Sequence, residues 1–186
     1  SAAGWDLSVG NLMLMGVAGS GTSTALASIA LTLAKDIDPS ELDLMILDLG
    51  SRELEPLAAL PHTVAYVGTG AGAKEQQARF LRHLNTELES RRANPGRHRR
   101  AVVLVDGLAS LRDEFQDFEG QQLLALLYRA YADGPALGLS FAVTTTRAKA
   151  VPSAMNEVTL QRWLFRLADA YDYSSLGVRG KEIPAP

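Results

Sequence analysis

The sequence contains no cysteine and few aromatic residues, and each scarcity excludes a class of small domain. With no cysteine in 186 residues, neither a disulfide framework nor a thiolate metal site can form. Aromatic residues make up 6% of the chain, whereas 47% is hydrophobic and rich in Ala, Leu and Val. This composition can fill one sizeable core, and it favours helices packed on a buried sheet over a β-sandwich.

The chain also has no large excess of charge of one sign and no long apolar run. The net charge is −3, which gives the domain as a whole no electrostatic bias toward nucleic acid. The basic stretch Arg97–Arg100 could contact nucleic acid or acidic lipid, but a solvated loop is the favoured interpretation. The three histidines stand far apart, which disfavours a zinc site. No apolar run approaches the roughly 18–20 residues that span a bilayer, and no signal peptide is visible.

Short apolar runs alternate with amphipathic stretches along the chain, a pattern typical of a doubly wound, mostly parallel α/β sheet. We expect one domain over residues 1–186. The opening Ser1-Ala2-Ala3 has the composition of an appended remnant, so we also expect a piece excised from a larger, multi-domain chain. The predicted strands are Asn11–Met15, Leu42–Leu49, Thr63–Val67, Ala101–Val105, Leu139–Thr145 and an edge strand at Gln161–Leu167, and the predicted helices are Ser23–Ile37, Lys74–Arg92 and Gly120–Ala132.

A glycine-rich loop follows the first predicted strand and precedes the first predicted helix. It reads G-V-A-G-S-G-T-S over Gly16–Ser23, close to the phosphate-binding pattern G-x-x-x-x-G-K-[ST], in which backbone N–H groups and a helix N-terminus face phosphate oxygens. Thr22 replaces the lysine and cannot supply its charge. A glycine turn that binds no ligand is the alternative. The expected nucleotide-binding residues are Gly16, Gly19, Ser20, Gly21, Thr22, Ser23 and Thr24.

A second strand ends in an acid at the position expected for a magnesium site. Ala101–Asp106 reads A-V-V-L-V-D, so Ser23 and Asp106 are the predicted Mg²⁺ residues, and Asp106 is also the single catalytic candidate. In active ATPases of this kind a glutamate commonly follows and polarises the attacking water, but here Gly107 follows. An aspartate that merely ends a strand is the alternative for Asp106, and Glu114 is a less favoured candidate for a displaced base.

Further polar residues lie at the ends of the last two predicted strands. Thr145 and Thr146 are candidate sensors of a γ-phosphate, although a β-branched strand end explains them equally well. Arg162 and Arg166 are candidate arginine fingers that would face a neighbouring subunit. Solvated charges on an edge strand are the favoured interpretation of these two arginines.

Six stretches in the same order resemble the FtsK/SpoIIIE-type RecA-like motor domains, and more narrowly the repeated ATPase domains of the EccC/EssC proteins of type VII secretion. The more specific stretches are L-A-A-L-P-H and R-L-A-D-A-Y-D-Y-S-S-L-G. The matching segments are Asn11–Thr24, Leu44–Gly50 with Leu57–His62, Ala101–Arg112, Gly138–Arg147 and Gln161–Gly177.

The resemblance implies a RecA-like P-loop NTPase fold that binds ATP with Mg²⁺. It implies sister ATPase domains in the same chain or ring as partners, and secreted helical substrates as further ones, with DNA less expected. It places the domain at the cytoplasmic face of the membrane, with membrane contact only through other parts of the full-length protein. The losses at Thr22 and Gly107 predict a degenerate member with a regulatory or scaffold role and little hydrolysis. An active ATP-driven DNA translocase and a nucleotide-independent interaction domain are the alternatives.

Overall fold

Six parallel strands form a single sheet in a computed structural model that describes residues 4–96 and 98–167. The order across the sheet is β3-β2-β4-β5-β1-β6, and each pair of neighbouring strands is parallel. The predicted mostly parallel, doubly wound sheet is therefore confirmed. The strands are β1 (Leu12–Met15), β2 (Leu42–Asp48), β3 (Thr63–Val67), β4 (Arg100–Asp106), β5 (Leu139–Thr145) and β6 (Gln161–Leu164).

Helices connect these strands, and the three predicted ones lie within two residues of their expected ends. Short 3₁₀ turns cover Glu55–Ala59, Pro135–Leu137 and Ala148–Ala150. Two helices were not predicted: α3 follows β4 directly, and α5 has four residues, so neither shows a long amphipathic period. The helices are α1 (Thr22–Asp36), α2 (Ala73–Ala93), α3 (Leu108–Glu114), α4 (Phe118–Asp133) and α5 (Ser153–Asn156).

The sheet is buried on both faces, which explains why its central strands are continuous apolar runs. Alternate residues of β4 belong to opposite clusters: Val102 and Leu104 pack on the side of α1, and Val103 and Val105 on the side of α2 and α4. Each fully buried aliphatic side chain of this kind contributes roughly 1.5–3 kcal/mol. The two clusters fix the sheet between its helical layers.

A buried asparagine stabilises the sheet at the start of β1. Its Nδ2 donates to the carbonyl of Tyr131 at 2.6 Å, and its Oδ1 accepts the N–H of Phe141 at 2.8 Å. Asn11 thereby ties β1 to α4 and to β5. A buried amide with both ends bonded fixes this register more strongly than apolar packing alone.

The carboxyl ends of the strands lie along one edge of the sheet, where the glycine loop also lies. β5 runs between β1, which leads into this loop, and β4, which ends at Asp106. The edge strand β6 ends at Leu164, earlier than the predicted Leu167, although the N–H of Phe165 still donates to the carbonyl of Met15 at 2.7 Å. The part of the matching segment Gln161–Gly177 that follows Leu167 lies outside the described residues. Within the described ranges, no helix has the length and apolarity to cross a membrane.

Candidate functional site

The glycine loop between β1 and α1 requires its glycines. Gly19 and Gly21 have φ angles of 79° and 101°, a left-handed conformation that side chains with a Cβ rarely adopt. A Cβ at Gly16 would lie 2.3 Å from Ser20 Oγ and 2.6 Å from Phe165 Cβ. The loop is thus folded tightly over its own serine, with α1 beginning immediately after it.

Thr22 stands at the sequence position of the lysine, but its short side chain does not extend as a lysine would. It is the first residue of α1 and is 9% exposed. A Cβ placed on Gly16 would lie 3.1 Å from the Thr22 methyl group, so this methyl lies close beneath the loop. A short, neutral side chain in this position leaves the N-terminus of α1 as the local source of positive potential.

Two side chains from two other elements meet at the carboxylate of Asp106. Ser23 Oγ, on α1, donates to Oδ2 at 2.8 Å, and Thr144 Oγ1, on β5, donates to Oδ1 at 2.6 Å. The same Thr144 oxygen accepts the N–H of Gly107 at 2.9 Å. The two predicted Mg²⁺ residues, 83 positions apart in sequence, are therefore in direct contact.

Asp106 is 2% exposed, and its surroundings act on its acidity in opposite directions. Burial is the largest influence and raises the pKa of this carboxyl. The hydrogen bonds from Thr144 and Ser23 lower it, and the negative charges of Asp48 and Glu53 raise it further, so that the net direction is upward. A divalent cation between Ser23 and Asp106 would favour the ionised carboxylate that it needs as a ligand.

Gly107 has a structural role at the position of the missing glutamate. Its φ is 100°, and it caps the N-terminus of α3. A Cβ there would lie 3.3 Å from the backbone carbon of Leu49. Glu114, the candidate for a displaced base, is the last residue of α3 and lines a neighbouring cavity with Leu49 and Ser110, not the one that contains Asp106.

The structure places the sensor candidates and the arginine-finger candidates in different surroundings. Thr145 Oγ1 donates to the carbonyl of Arg147 at 2.9 Å, so this hydroxyl closes a turn, and both Thr145 and the exposed Thr146 line the cavity. The side chain of Arg162 donates to the carbonyls of Asn156 and Thr159 at 2.8 and 2.7 Å.

Arg166 is exposed, and its carbonyl accepts the N–H of Val17 at 2.8 Å, which ties the segment after β6 to the glycine loop. Thr144, which the sequence reasoning left out of its sensor candidates, is the threonine of the triplet that contacts Asp106. Its place on β5 is the signal: the residue that immediately precedes Thr145 alternates to the opposite face of the strand.

Glu53 is a second residue of the site that the sequence reasoning missed. It follows β2 in the segment G-S-R-E, and its Oε2 accepts the hydroxyl of Thr24 at 2.9 Å. The cavity around these groups measures about 550 Å³ and contains two carboxylates, Glu53 and Asp106, but no Lys, Arg or His among the described residues that line it. The lining residues are Ala18, Gly19, Gly21, Thr22, Ser23, Thr24, Gly50, Ser51, Glu53, Asp106, Gly107, Ser110, Thr144, Thr145 and Thr146.

The fit of a magnesium nucleotide to these residues can be tested on the loop itself. Ser20 Oγ lies beside Gly16, is buried and has no hydrogen-bond partner among the described residues, so the loop contains one polar group that its own fold does not satisfy. The loop glycines, the Ser23–Asp106 pair and the helix N-terminus fit phosphates with Mg²⁺, whereas Thr22 does not supply the usual charge. In the described part of the chain, no group of three or more acids or histidines forms a metal cage without a nucleotide.

Known proteins with similar sequences are secretion-system proteins. The chain is 27% identical over 185 residues to the ESX secretion system protein EccC of Geobacillus thermodenitrificans, and 29% identical over 191 residues to ESX-4 secretion system protein EccC4 of Mycobacterium tuberculosis. Each alignment covers 90% of this chain, which spans 12% and 15% of the length of these curated relatives.

Solved structures of the same group share the fold. The cytoplasmic domain of EssC superposes with a TM-score of 0.79 at 26% identity, covering 97% of this chain and 37% of that one. Thermomonospora curvata EccC (ATPases 2 and 3), in complex with a signal sequence peptide, superposes with a TM-score of 0.82 at 20% identity, covering 97% and 36%. These likenesses confirm the RecA-like fold. The FtsK/SpoIIIE family model matches residues 2–175, and the chain therefore belongs to the FtsK/SpoIIIE family.

Proposed function

We propose that this domain is a degenerate nucleotide-binding module of a type VII secretion motor, with little or no hydrolysis of its own. ATP with Mg²⁺ is its ligand, and Gly16, Gly19, Ser20, Gly21, Thr22, Ser23 and Thr24 surround the phosphates. When bound, Mg²⁺ supplies charge neutralisation of the phosphates. Ser23 and Asp106 would hold it, Asp106 through water.

The observation that carries this proposal is the contact of Ser23 with Asp106. A strand-to-helix glycine turn without a ligand has no need of a hydroxyl against a buried carboxylate from another strand. Here the two groups meet at 2.8 Å, and Thr144 orients the second carboxylate oxygen. The pairing keeps both predicted Mg²⁺ residues at the place where the phosphates of a nucleotide on α1 would need a cation.

Two losses support weak hydrolysis. The lysine that would stabilise charge on the transferred phosphoryl group is replaced by Thr22, and the glutamate that would polarise water is replaced by Gly107. The lost lysine contacts are worth roughly 1.5–3 kcal/mol each, which corresponds to nucleotide binding about 10–100-fold weaker than with the lysine. Turnover is reduced further, because both lost groups act on the transition state.

Titration calorimetry with Mg-ATP, together with a phosphate-release assay, tests the proposal. We expect weak saturable binding and phosphate release at background level. Asp106→Asn should weaken the Mg-dependent part of the binding, whereas Asp36→Asn, which removes an exposed acid at the other end of α1, should leave binding unchanged. ATP-dependent phosphate release that disappears in Asp106→Asn would instead indicate an active enzyme.

The relatives support the secretion context of the proposal. EccC and EssC appear among solved structures as units that contain ATPases 2 and 3, so we include sister ATPase domains in the same chain or ring among the partners. Secreted helical substrates are further proposed partners, because the T. curvata protein of the same fold was solved with a signal sequence peptide. The proposed location is the cytoplasmic face of the cell membrane, with attachment through other parts of a longer protein.

A nucleotide-independent interaction domain is the second candidate, and one observation favours it. The cavity holds two carboxylates and no basic side chain among the described residues that line it, which opposes a polyphosphate. The same titration decides between the two functions: absence of any heat or thermal shift up to several millimolar Mg-ATP, in the wild type and in Thr22→Lys, would favour this candidate.

A further inference from the structure

The loop that follows β2 places the carboxylate of Glu53 against the first turn of α1. Thr24 is the third residue of α1, and its hydroxyl donates to Glu53 Oε2 at 2.9 Å. The helix has no acidic residue in its own first turn, and the capping residue Gly21 offers no side-chain acceptor. Glu53 therefore supplies, from a different element, the negative charge that a helix N-terminus stabilises.

The backbone holds this loop in place. Arg52, immediately before Glu53, has a φ of 65° and is the one non-glycine residue with positive φ in the described ranges. Such a conformation persists where surrounding contacts impose it. Here the N–H of Gly50 donates to Asp48 Oδ1 at 3.2 Å, and the N–H of Glu55 donates to the carbonyl of Arg52 at 3.1 Å. The loop is anchored on both sides of Glu53.

Gly50 also sets how close the loop comes to the site. A Cβ on Gly50 would lie 2.5 Å from Asp106 Oδ2, so the backbone of the loop packs directly against the buried carboxylate. Glu53 and Asp106 line the same cavity. Glu53 is thus part of the same electrostatic environment as the proposed Mg²⁺ site.

The two hydroxyls at the start of α1 both donate to carboxylates of the protein, but the two contacts differ in what a nucleotide would do to them. A cation can enter between Ser23 and Asp106, because both are oxygen ligands of the kind that Mg²⁺ takes. The phosphate-binding pattern assigns Mg²⁺ to Ser23 and not to Thr24, so a phosphate group at this helix N-terminus would meet the negative charge of Glu53. With Thr22 in place of lysine, no side chain among the described residues of the cavity lining offsets that charge.

We propose that Glu53 is a specificity-determining residue of this site. Its carboxylate accepts a hydrogen bond at the N-terminus of α1, where a nucleotide phosphate would bind. Its charge therefore opposes polyphosphates, most strongly those whose charge Mg²⁺ has not neutralised. This inference rests on the proposed nucleotide-binding function. It predicts that the weak affinity of the domain has two sources, the missing lysine and the added carboxylate.

Titration calorimetry with ATP, with and without Mg²⁺, on the wild type, Glu53→Gln and Glu55→Gln tests the inference. Glu53→Gln removes the charge and keeps an oxygen that can accept from Thr24. Glu55→Gln removes the same charge from a side chain that is exposed, as Glu53 is, but does not line the cavity. We expect Glu53→Gln to tighten binding about five- to thirtyfold at low salt, and to do so more for free ATP than for Mg-ATP. The gain should shrink at about 0.5 M NaCl, where screening is strong.

Several outcomes would overturn the inference. An affinity of Glu53→Gln within twofold of the wild type, a weaker affinity, or an equal gain in Glu55→Gln would show that Glu53 does not oppose the nucleotide. Glu53→Ala should reproduce the gain, which separates the charge from any new contact of the amide. Thr22→Lys with and without Glu53→Gln separates the two hypotheses. If binding appears with the lysine but its affinity is the same with and without Glu53→Gln, this inference alone is contradicted. If no variant binds, the proposed function and the inference are contradicted together.

Discussion

Thr144 Oγ1 lies 2.6 Å from Asp106 Oδ1 and 2.9 Å from the backbone nitrogen of Gly107, so one hydroxyl donates to the carboxylate and accepts from the residue that follows it. This contact joins the end of β5 to the end of β4. It keeps the Asp106 side chain turned toward Ser23 on α1. The threonine is therefore a positioning residue of the site as well as part of the sheet.

We expect Thr144→Val to lower the free energy of unfolding by about 1–3 kcal/mol, because it leaves the Gly107 N–H and one Asp106 oxygen without a partner in a buried setting. Chemical denaturation measures this change. Thr144→Ser keeps the hydroxyl and should retain most of the stability. If Thr144→Val and Thr144→Ser are equally destabilised, the hydrogen bonds do not explain the effect.

Thr22→Lys should tighten Mg-ATP binding about 10–100-fold, since it restores a charge against the phosphates. Titration calorimetry on the wild type and the variant checks this expectation. The added lysine should not restore hydrolysis, because Gly107 still stands where the glutamate would be. An unchanged affinity would mean that the Thr22 position no longer faces a phosphate site.

Gly107→Ala should destabilise the fold by about 1–2 kcal/mol, because a Cβ is unfavourable at positive φ and would also press on Leu49. Gly96→Ala is the matched control: its φ is 76°, and a Cβ there would meet no atom within 4 Å, so it reports backbone strain alone. A smaller loss of stability in Gly107→Ala than in Gly96→Ala would contradict the close packing at Gly107. For the same reason Gly107→Glu, alone or with Thr22→Lys, should not yield an active ATPase.

The raised pKa of Asp106 predicts a specific dependence of stability on pH. Burial, the largest cause, favours the protonated carboxyl in the folded state. The stability that follows from this shift is fully present below the ordinary value of 3.8 and is lost as the pH rises through the higher pKa of the folded state. Asp106→Asn, which is neutral at every pH, should therefore be at least as stable as the wild type near pH 7.

Thermal melts of the two proteins between pH 3 and pH 8 provide the measurement. The advantage of Asp106→Asn should decrease as the pH falls and vanish once the wild-type carboxyl is protonated. An advantage that is independent of pH would assign the effect to packing. A variant that is less stable than the wild type at pH 7 would show that the hydrogen bonds from Ser23 and Thr144 outweigh desolvation of the charge.

Much of the fold follows from local patterns. The apolar runs of β2, β4 and β5 and the helical periods of α1, α2 and α4 predicted elements within two residues of their ends, because each of these segments buries a long, continuous side-chain pattern. α3 escaped prediction because seven residues give too little periodicity and because Gly107 before it resembles a turn. The order of the strands was not predictable from periodicity, since it depends on which strands meet in space.

The candidate site was likewise predicted from the sequence only in part. The glycine loop, Ser23 and Asp106 were identified from their spacing and from the strand ends on which they stand, and the structure brings them together. Thr144 was missed because strand alternation separates Thr144 from Thr145 but does not say which of the two shares a face of the sheet with Asp106. Glu53 was missed because nothing local to G-S-R-E predicts that this loop reaches the first turn of α1.

The sequence by itself determined the family, the α/β architecture and the two departures at Thr22 and Gly107, because these depend on residue identity and on short-range patterns. Only the tertiary structure decided which hydroxyl groups contact Asp106, that Gly107 caps a helix in a left-handed conformation, and that Glu53 contacts α1. The contacts of Asp106 and of Glu53 join residues separated by 29 to 83 positions. They arise from the packing of β4 and β5 beside one another and of the β2 loop against α1, which no local pattern encodes.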